Sequence, residues 1–347
     1  MTTFENYKDE FIYLVGKKED NIEEIKKLLN YLEGLKTKNL PIIFDVVHFG
    51  SLVGYGSGYI LGATNSPYKY YRKFKIPKKK KGEYREILEP LSGLKDIQTW
   101  ILKNILEKNS LNPYVKSYVK DKGIKDNAKF HRQQKFLLKL DIKNYFPSFK
   151  FKKVYNYFLD LGYTKQVAIL LSKLCYYNGL PQGAPTSPLL SNLLTNRLDE
   201  RISSFCKGKR IRYTRYADDL TFSGEFEIGM IVNFVKKILM QEGFKLNADK
   251  IKVARKNQSQ RVTGIVVNEK MQAPREFRKR IRQEIYYIKN YGLENHLERL
   301  KKLEEKFFYV DKLIGKCNFV LYVNSKDEEV TGYRNYLKDN YKEIINS

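Results

Sequence analysis

The string Tyr216-Ala217-Asp218-Asp219 constrains this chain more than any other. An apolar-alternating run, Ile211 to Tyr216, leads into it, and a second, Leu220 to Ser223, leads away. That pattern predicts two short strands joined by a tight turn. Two adjacent carboxylates at such a turn repel each other and resist desolvation. A hard cation resolves the conflict, because magnesium takes oxygen ligands, one or two carboxylates at a time, with substrate phosphates completing its shell. A third carboxylate, Asp141, ends the apolar run Leu138-Lys139-Leu140. Strands that bring Asp141, Asp218 and Asp219 to one point would build a two-metal site for phosphoryl transfer.

A length of 347 residues allows two or three packed units, and 42% hydrophobic content excludes a disordered chain. Lys and Arg number 65 against 39 Asp and Glu, a formal charge of +26. Such an excess favours a polyanion, either nucleic acid or an anionic membrane surface. The 27 Tyr and 20 Phe spread among the basic residues favour nucleic acid, since rings stack on bases while cations neutralise phosphates. Cys175, Cys206 and Cys317 form no CxxC pair, and His48, His131 and His296 are scattered. This argues against a zinc site or a disulfide framework and fits a reducing cytosol. The polar, acidic start suggests no signal peptide, so a cytoplasmic location is expected. The most apolar stretch, Ile42 to Ala63, includes Asp45, His48 and several Gly and Ser residues. It reads as two short buried helices with a glycine-rich joint, not a membrane span.

Residues 1–40 form a charged, helix-forming extension with Ile22, Ile25, Leu28, Leu29 and Leu32 at helical spacing. Residues 69–89 read as a β-hairpin around a Lys-rich turn. An amphipathic helix follows, with Leu94, Ile97, Ile101 and Ile105 on one face. Strands and helices then alternate over 135–265, an α+β pattern. From Pro274 the chain is helical and basic, with Phe277, Ile281, Ile285, Tyr286 and Ile288 as the expected buried set. The string Leu180–Pro188 is a turn-rich loop opening a helix. Gly183 permits close backbone approach there, Ser187 is expected to cap the helix, and Pro188 suits its first position.

In that order, Asp141, Leu180–Pro188 and Tyr216–Asp219 resemble motifs A, B and C of reverse transcriptases. Gly243-Phe244-Lys245-Leu246-Asn247 with Lys250 resembles motif D, Arg261-Val262-Thr263-Gly264 the primer-gripping strand, and Pro77 to Pro90 the fingers hairpin. The Asn127-Ala128-x-x-His131 string and the Val262-Thr263-Gly264 string are similar to signatures of bacterial retron reverse transcriptases. Tyr145 stands where many relatives have Phe. The resemblance covers about residues 68–268 and implies a right-hand α+β polymerase: fingers at 41–135, palm at 136–265 (with part of the fingers between motifs A and B) and a helical, RNA-binding thumb at 266–347.

The same resemblance assigns roles. Asp141, Asp218 and Asp219, with the carbonyl of Ile142, would hold two Mg²⁺ ions. Lys81 and Arg85 would grip the triphosphate, Gln182 would line the sugar pocket, Phe146 would exclude a ribose 2′-OH, and Lys250 would assist protonation of pyrophosphate. Arg275, Arg278, Lys279 and Arg282 are candidate RNA contacts. Retron enzymes prime from the 2′-OH of a guanosine in a cognate noncoding RNA and copy part of it into branched multicopy single-stranded DNA (msDNA). The implied partners are that RNA, the msDNA, dNTPs, a separately encoded effector in anti-phage defence and host RNase H, with no membrane. Two alternatives stay open: another bacterial reverse transcriptase, intron-like or diversity-generating, and a non-catalytic RNA-binding scaffold.

Overall fold

The computed structural model describes residues 22–77 and 82–346. The triphosphate-gripping role expected of Lys81 falls outside them, as does much of the N-terminal extension. The chain divides into two compact units, each discontinuous in sequence: the first comprises the described part of 1–113 with 142–201 and 237–245, the second 114–141, 202–236 and the described part of 246–347.

The described part of the first unit starts with a helix, Ile22–Thr37, whose Leu32 and Leu35 are buried. Two helices follow at the apolar stretch, Val46–Val53 and Ser57–Asn65. Asp45 caps the former by accepting from His48 N at 2.8 Å, and Gly54 ends it at φ 77°. Their expected burial holds on one face only: Phe49 and Ile60 are enclosed, whereas Val47, Leu52 and Leu61 are exposed. Helices this short bury a stripe rather than a circumference. Strands β1 (Tyr71–Pro77) and β2 (Tyr84–Pro90) pair antiparallel, Tyr71 opposite Pro90. The helix Ser92–Asn104 buries Leu94, Ile97 and Ile101 as its spacing predicts, and Ile105 just beyond it is buried too. Gln98, on the same helix, donates at 2.8 Å to Tyr71 Oη and to Leu174 O. Tyr145 is buried and donates its hydroxyl to Ser191 O at 3.2 Å, so the extra oxygen relative to Phe has a partner.

The helix at motif B runs Ser187–Leu194, and Ser187 is its first residue, not its cap. Thr186 holds the cap position with φ −74° and ψ −32°, a helical conformation in which its side chain caps nothing. Side-chain capping needs the extended geometry that this residue lacks.

The second unit is built on strands β3 (Phe136–Asp141), β4 (Arg212–Tyr216), β5 (Asp219–Gly224) and β6 (Lys252–Arg255). They form one sheet in the order β4-β5-β3-β6, with every pairing antiparallel. A second, two-stranded ladder pairs β7 (Arg261–Val262) with β8 (Ile265–Val266). Thr263 and Gly264 form its turn at φ 46° and 86°, positive at both corners as a type I′ turn demands. A β-branched residue resists that conformation, and here the Thr263 hydroxyl donates to Ile124 O at 3.0 Å. Ala128, Leu137, Val262 and Ile265 share one apolar cluster. The two signature strings are thus packed against each other.

The C-terminal helices Arg275–Tyr291, Leu293–Leu300, Lys306–Val323 and Glu328–Asp339 enclose a core that includes Ile281, Ile285, Ile288, Leu313 and Leu337. Phe277 packs half-buried against it. Tyr286, expected inside, is 56% exposed. It sits one position beyond Ile285 and so points about 100° away from the buried i, i+4, i+7 stripe. Among the described residues no helix is long and apolar enough to cross a membrane.

Candidate active site

Asp141 ends β3 and Asp219 begins β5, and the two are direct cross-strand partners. Tyr216 pairs with the same Asp219 across β4 and β5, leaving Ala217 and Asp218 as a two-residue turn. Ala217 has φ 55°, a conformation that hairpins usually give to Gly or Asn. Its backbone is held on both sides: Ala217 N donates to Ser117 Oγ at 2.7 Å, and the fully buried Arg215 donates from Nη1 to Ala217 O at 3.2 Å. Such strain persists where surrounding bonds over-determine it. The result is three carboxylates at the ends of adjacent strands, as the alternating runs and their Asp residues imply.

Counter-charges surround them. Asp141 is 6% exposed, accepts from Asn247 Nδ2 at 2.8 Å on Oδ1, and pairs with Lys250 Nζ at 3.0 Å on Oδ2. Asn247 N also donates to Asp141 O at 2.8 Å. Lys139 Nζ lies 3.2 Å from Asp219 Oδ2. Asp218 is pushed up to about 6, first by burial and then by the charge of Asp141. Among the described residues it has no ion pair, whereas Asp141 and Asp219 each face an ammonium group. Hard oxygen donors with surplus negative charge fit a divalent cation. Among the described residues no three Asp, Glu, His or Cys side chains are already drawn around one point. Asp141 and Asp219 are instead turned to the two ammonium groups.

Asn247 and Lys139 join this site without a sequence signal of their own for it. Asn247 lies within the motif-D string, while Lys139 carries the inward–outward alternation of β3 as its only signal. Ile142 directly follows Asp141 and is buried.

The other expected nucleotide contacts lie in the first unit, where backbone bonds connect their segments. Phe146 is half-buried in the short helix Tyr145–Ser148, and its carbonyl accepts from Leu180 N at 3.0 Å. The Gln182 carbonyl accepts from Leu88 N on β2 at 2.8 Å. A Cβ on Gly183, at φ 132°, would come 2.7 Å from Leu88 O, so this position requires glycine for contact as well as conformation. Arg85 is exposed on β2, opposite Ile76.

The four basic candidates on the helix Arg275–Tyr291 separate into two pairs. Arg282 forms a bidentate pair with Glu329 at 2.6 and 2.9 Å, and Arg278 lies 3.5 Å from the buried Asp327. Arg275 and Lys279 are exposed and have no ion pair among the described residues. Both line a cleft of about 640 Å³ with Arg261, Arg278, Arg280 and Gln283.

Residues 76–267 match the family described as "Reverse transcriptase (RNA-dependent DNA polymerase)". The chain is 35% identical over 261 residues to the Retron Ec86 reverse transcriptase of Escherichia coli, covering 74% of this chain and 77% of that one. It is 34% identical over 249 residues to the Retron Ec83 reverse transcriptase of the same organism, covering 66% and 79%. With the Retron Mx65 reverse transcriptase of Myxococcus xanthus the identity is 33% over 254 residues, covering 67% and 59%. The α+β arrangement is accordingly that of a right-hand polymerase, and the family uses divalent metal ions. With its three carboxylates on neighbouring strands and its two signature strings in one core, the chain belongs to the bacterial retron reverse transcriptases and is an RNA-directed DNA polymerase.

Proposed function

We propose that this polymerase binds a cognate structured noncoding RNA, primes from the 2′-OH of one guanosine, and copies part of the RNA into branched msDNA. The observation that carries the catalytic part is the pairing of Asp141 with Asp219 across β3 and β5, with Asp218 at the adjoining turn. In this reading Asp141, Asp218, Asp219 and the Ile142 carbonyl hold two Mg²⁺ ions. When bound, the ions supply Lewis acidity to the attacking hydroxyl and neutralise the triphosphate.

The protein's own groups do the rest. Arg85 and the Lys-rich segment between β1 and β2 that includes Lys81 hold the triphosphate. Gln182 and Phe146 bound the sugar, with the Phe146 ring excluding a ribose 2′-OH. Lys250 delivers a proton to the departing pyrophosphate. Arg275 and Lys279, which line the basic cleft, contact the RNA backbone. Arg278 and Arg282 secure Asp327 and Glu329, so they act on RNA through the position of the helix. RNA choice then rests on shape, loops and 2′-OH contacts. RNase H supplied by the host removes template, and a separately encoded effector couples the msDNA to anti-phage defence in the cytoplasm.

The test is expression of the chain with its flanking DNA, as wild type and as Asp218→Asn/Asp219→Asn, followed by gel analysis of small nucleic acids. A discrete short DNA that shifts on RNase or debranching treatment, and disappears in the variant, is expected. Only general extension of an added primer–template would instead overturn self-priming and the branched product. No synthesis at all would remove the msDNA reading. Phage plating with and without the neighbouring genes tests the defence role, and equal plating in both would remove it.

A further inference from the structure

His131 is fully buried, and its imidazole bridges the two strands of the hairpin that carries Asp218 and Asp219. Nδ1 lies 2.7 Å from Ser223 Oγ on β5, and Nε2 lies 2.7 Å from Thr214 Oγ1 on β4. The Thr214 hydroxyl donates to Asn127 Oδ1 at 2.5 Å. With Asn127 oriented so that its Oδ1 accepts, Thr214 spends its one proton there and accepts from the ring. Nε2 therefore carries the hydrogen and Nδ1 accepts from Ser223. The four residues form a one-directional chain, Ser223 to His131 to Thr214 to Asn127.

Thr214 pairs with Thr221, so Thr214 and Ser223 are diagonal neighbours on one face of the ladder. A slip of one residue in either strand would turn its hydroxyl to the opposite face and break its bond to the ring. Three residues after Thr214 comes Ala217, whose positive φ makes the turn sensitive to how the strands approach it. Asn127 and His131 sit on and just after the helix Ile124–Phe130, which Thr263 anchors through Ile124 O. Arg212 Nη1 adds a bond to Phe130 O at 3.0 Å.

We propose that His131 is a positioning residue for polymerisation: its imidazole clamps β4 to β5 in one register and thereby sets where the turn presents Asp218 and Asp219. The proposal rests on the catalytic reading of those carboxylates. Neutrality suits the role, since burial, helped by the charges of Arg212 and Lys116, pushes the ring down to about 3. The clamp then keeps one hydrogen-bond pattern across the working pH range. Asn127 acts through Thr214, and the Val262-Thr263-Gly264 turn acts through the helix.

The test compares His131→Phe, which keeps a ring without its hydrogen bonds, with His131→Gln, which restores one donor and one acceptor. Ser223→Ala removes a single bond and serves if His131→Phe does not fold. Three quantities are read on the full chain: kcat and KM for dNTP on a primed template, Mn²⁺ affinity of the free protein by electron paramagnetic resonance, and thermal midpoint. For His131→Phe we expect kcat to fall about 10- to 100-fold with KM changed less than about threefold. Mn²⁺ binding should weaken several-fold, and both effects should be partly restored in His131→Gln. Folded His131→Phe or Ser223→Ala with kcat and Mn²⁺ affinity within twofold of wild type, and only a lower midpoint, would overturn the clamp. Asp218→Asn is the reference: if it still polymerises, the catalytic reading fails whatever His131 does.

Discussion

Lys250 Nζ stands 3.0 Å from Asp141 Oδ2, on the same short loop that sends Asn247 Nδ2 to Oδ1. One carboxylate is thus held by a neutral donor on one oxygen and a cation on the other. The neutral bond fixes its orientation, while the cation competes with any metal for its charge. Orientation and affinity are therefore set by different residues.

Lys250→Met should separate these effects. Loss of a partly exposed positive charge beside the carboxylates should tighten divalent binding by about two- to fivefold. Primer extension should nevertheless slow, because the proposed proton donor is gone. Mn²⁺ titration and single-nucleotide incorporation measure the two directly. Weaker metal binding in the variant would mean that Lys250 orients Asp141 rather than competing at it.

Phe146→Ala should admit ribonucleotides. The ring is half-buried beside Tyr145, with centroids 5.3 Å apart, and its backbone is tied to Leu180. Truncation should leave the local chain in place while opening space at the sugar. Preference for dNTP over rNTP should fall at least about tenfold in kcat/KM. Unchanged rejection of rNTPs would refute the role.

Gly183→Ala should damage the loop before it damages chemistry. The new methyl would meet a backbone carbonyl, Leu88 O, that no rotamer change can move, at a φ that L side chains avoid. A cost of about 1–3 kcal/mol is expected from the overpacking. Denaturant unfolding gives the stability change, and dNTP titration should show KM rising more than kcat falls.

Histidine 131 also predicts a pH dependence of stability. Its folded pKa is depressed to about 3, below the ordinary value of 6.5, so the unfolded chain binds the proton more readily. The contribution is complete above about pH 6.5 and is lost as pH falls towards 3, at up to about 1.4 kcal/mol per pH unit. Urea unfolding at pH 7.5 and 5.5 should show a loss in wild type that His131→Gln lacks. Equal slopes would place the imidazole in contact with water.

Much of this was legible because local patterns decide it. The strands around Asp218 and Asp219 follow from period-two runs broken by polar turn residues, and the helix Ser92–Asn104 from its apolar spacing. The resemblance of ordered strings supplied the polymerase architecture. Long-range arithmetic was not legible: nothing local tells Asn247 and Lys250 that Asp141, more than a hundred residues earlier, is their partner. The ion pairs of Arg278 and Arg282 were equally hidden, because their acids, Asp327 and Glu329, are distant in sequence. Tyr286 read as core because an aromatic beside Ile285 looks apolar, although helical geometry turns it outward. Ser187 read as a cap by residue type, while capping depends on the backbone of Thr186.

The discontinuity of the two compact units has a consequence for how the protein is made. The first lacks 237–245 until most of the sheet-bearing segments of the second have already left the ribosome. Neither unit can finish folding while the other waits unmade, as successive domains on a string would. A chain halted anywhere between Ile202 and Lys236 therefore lacks segments of both units. Splitting such a polymerase into separately expressed halves would have to cut through one of them.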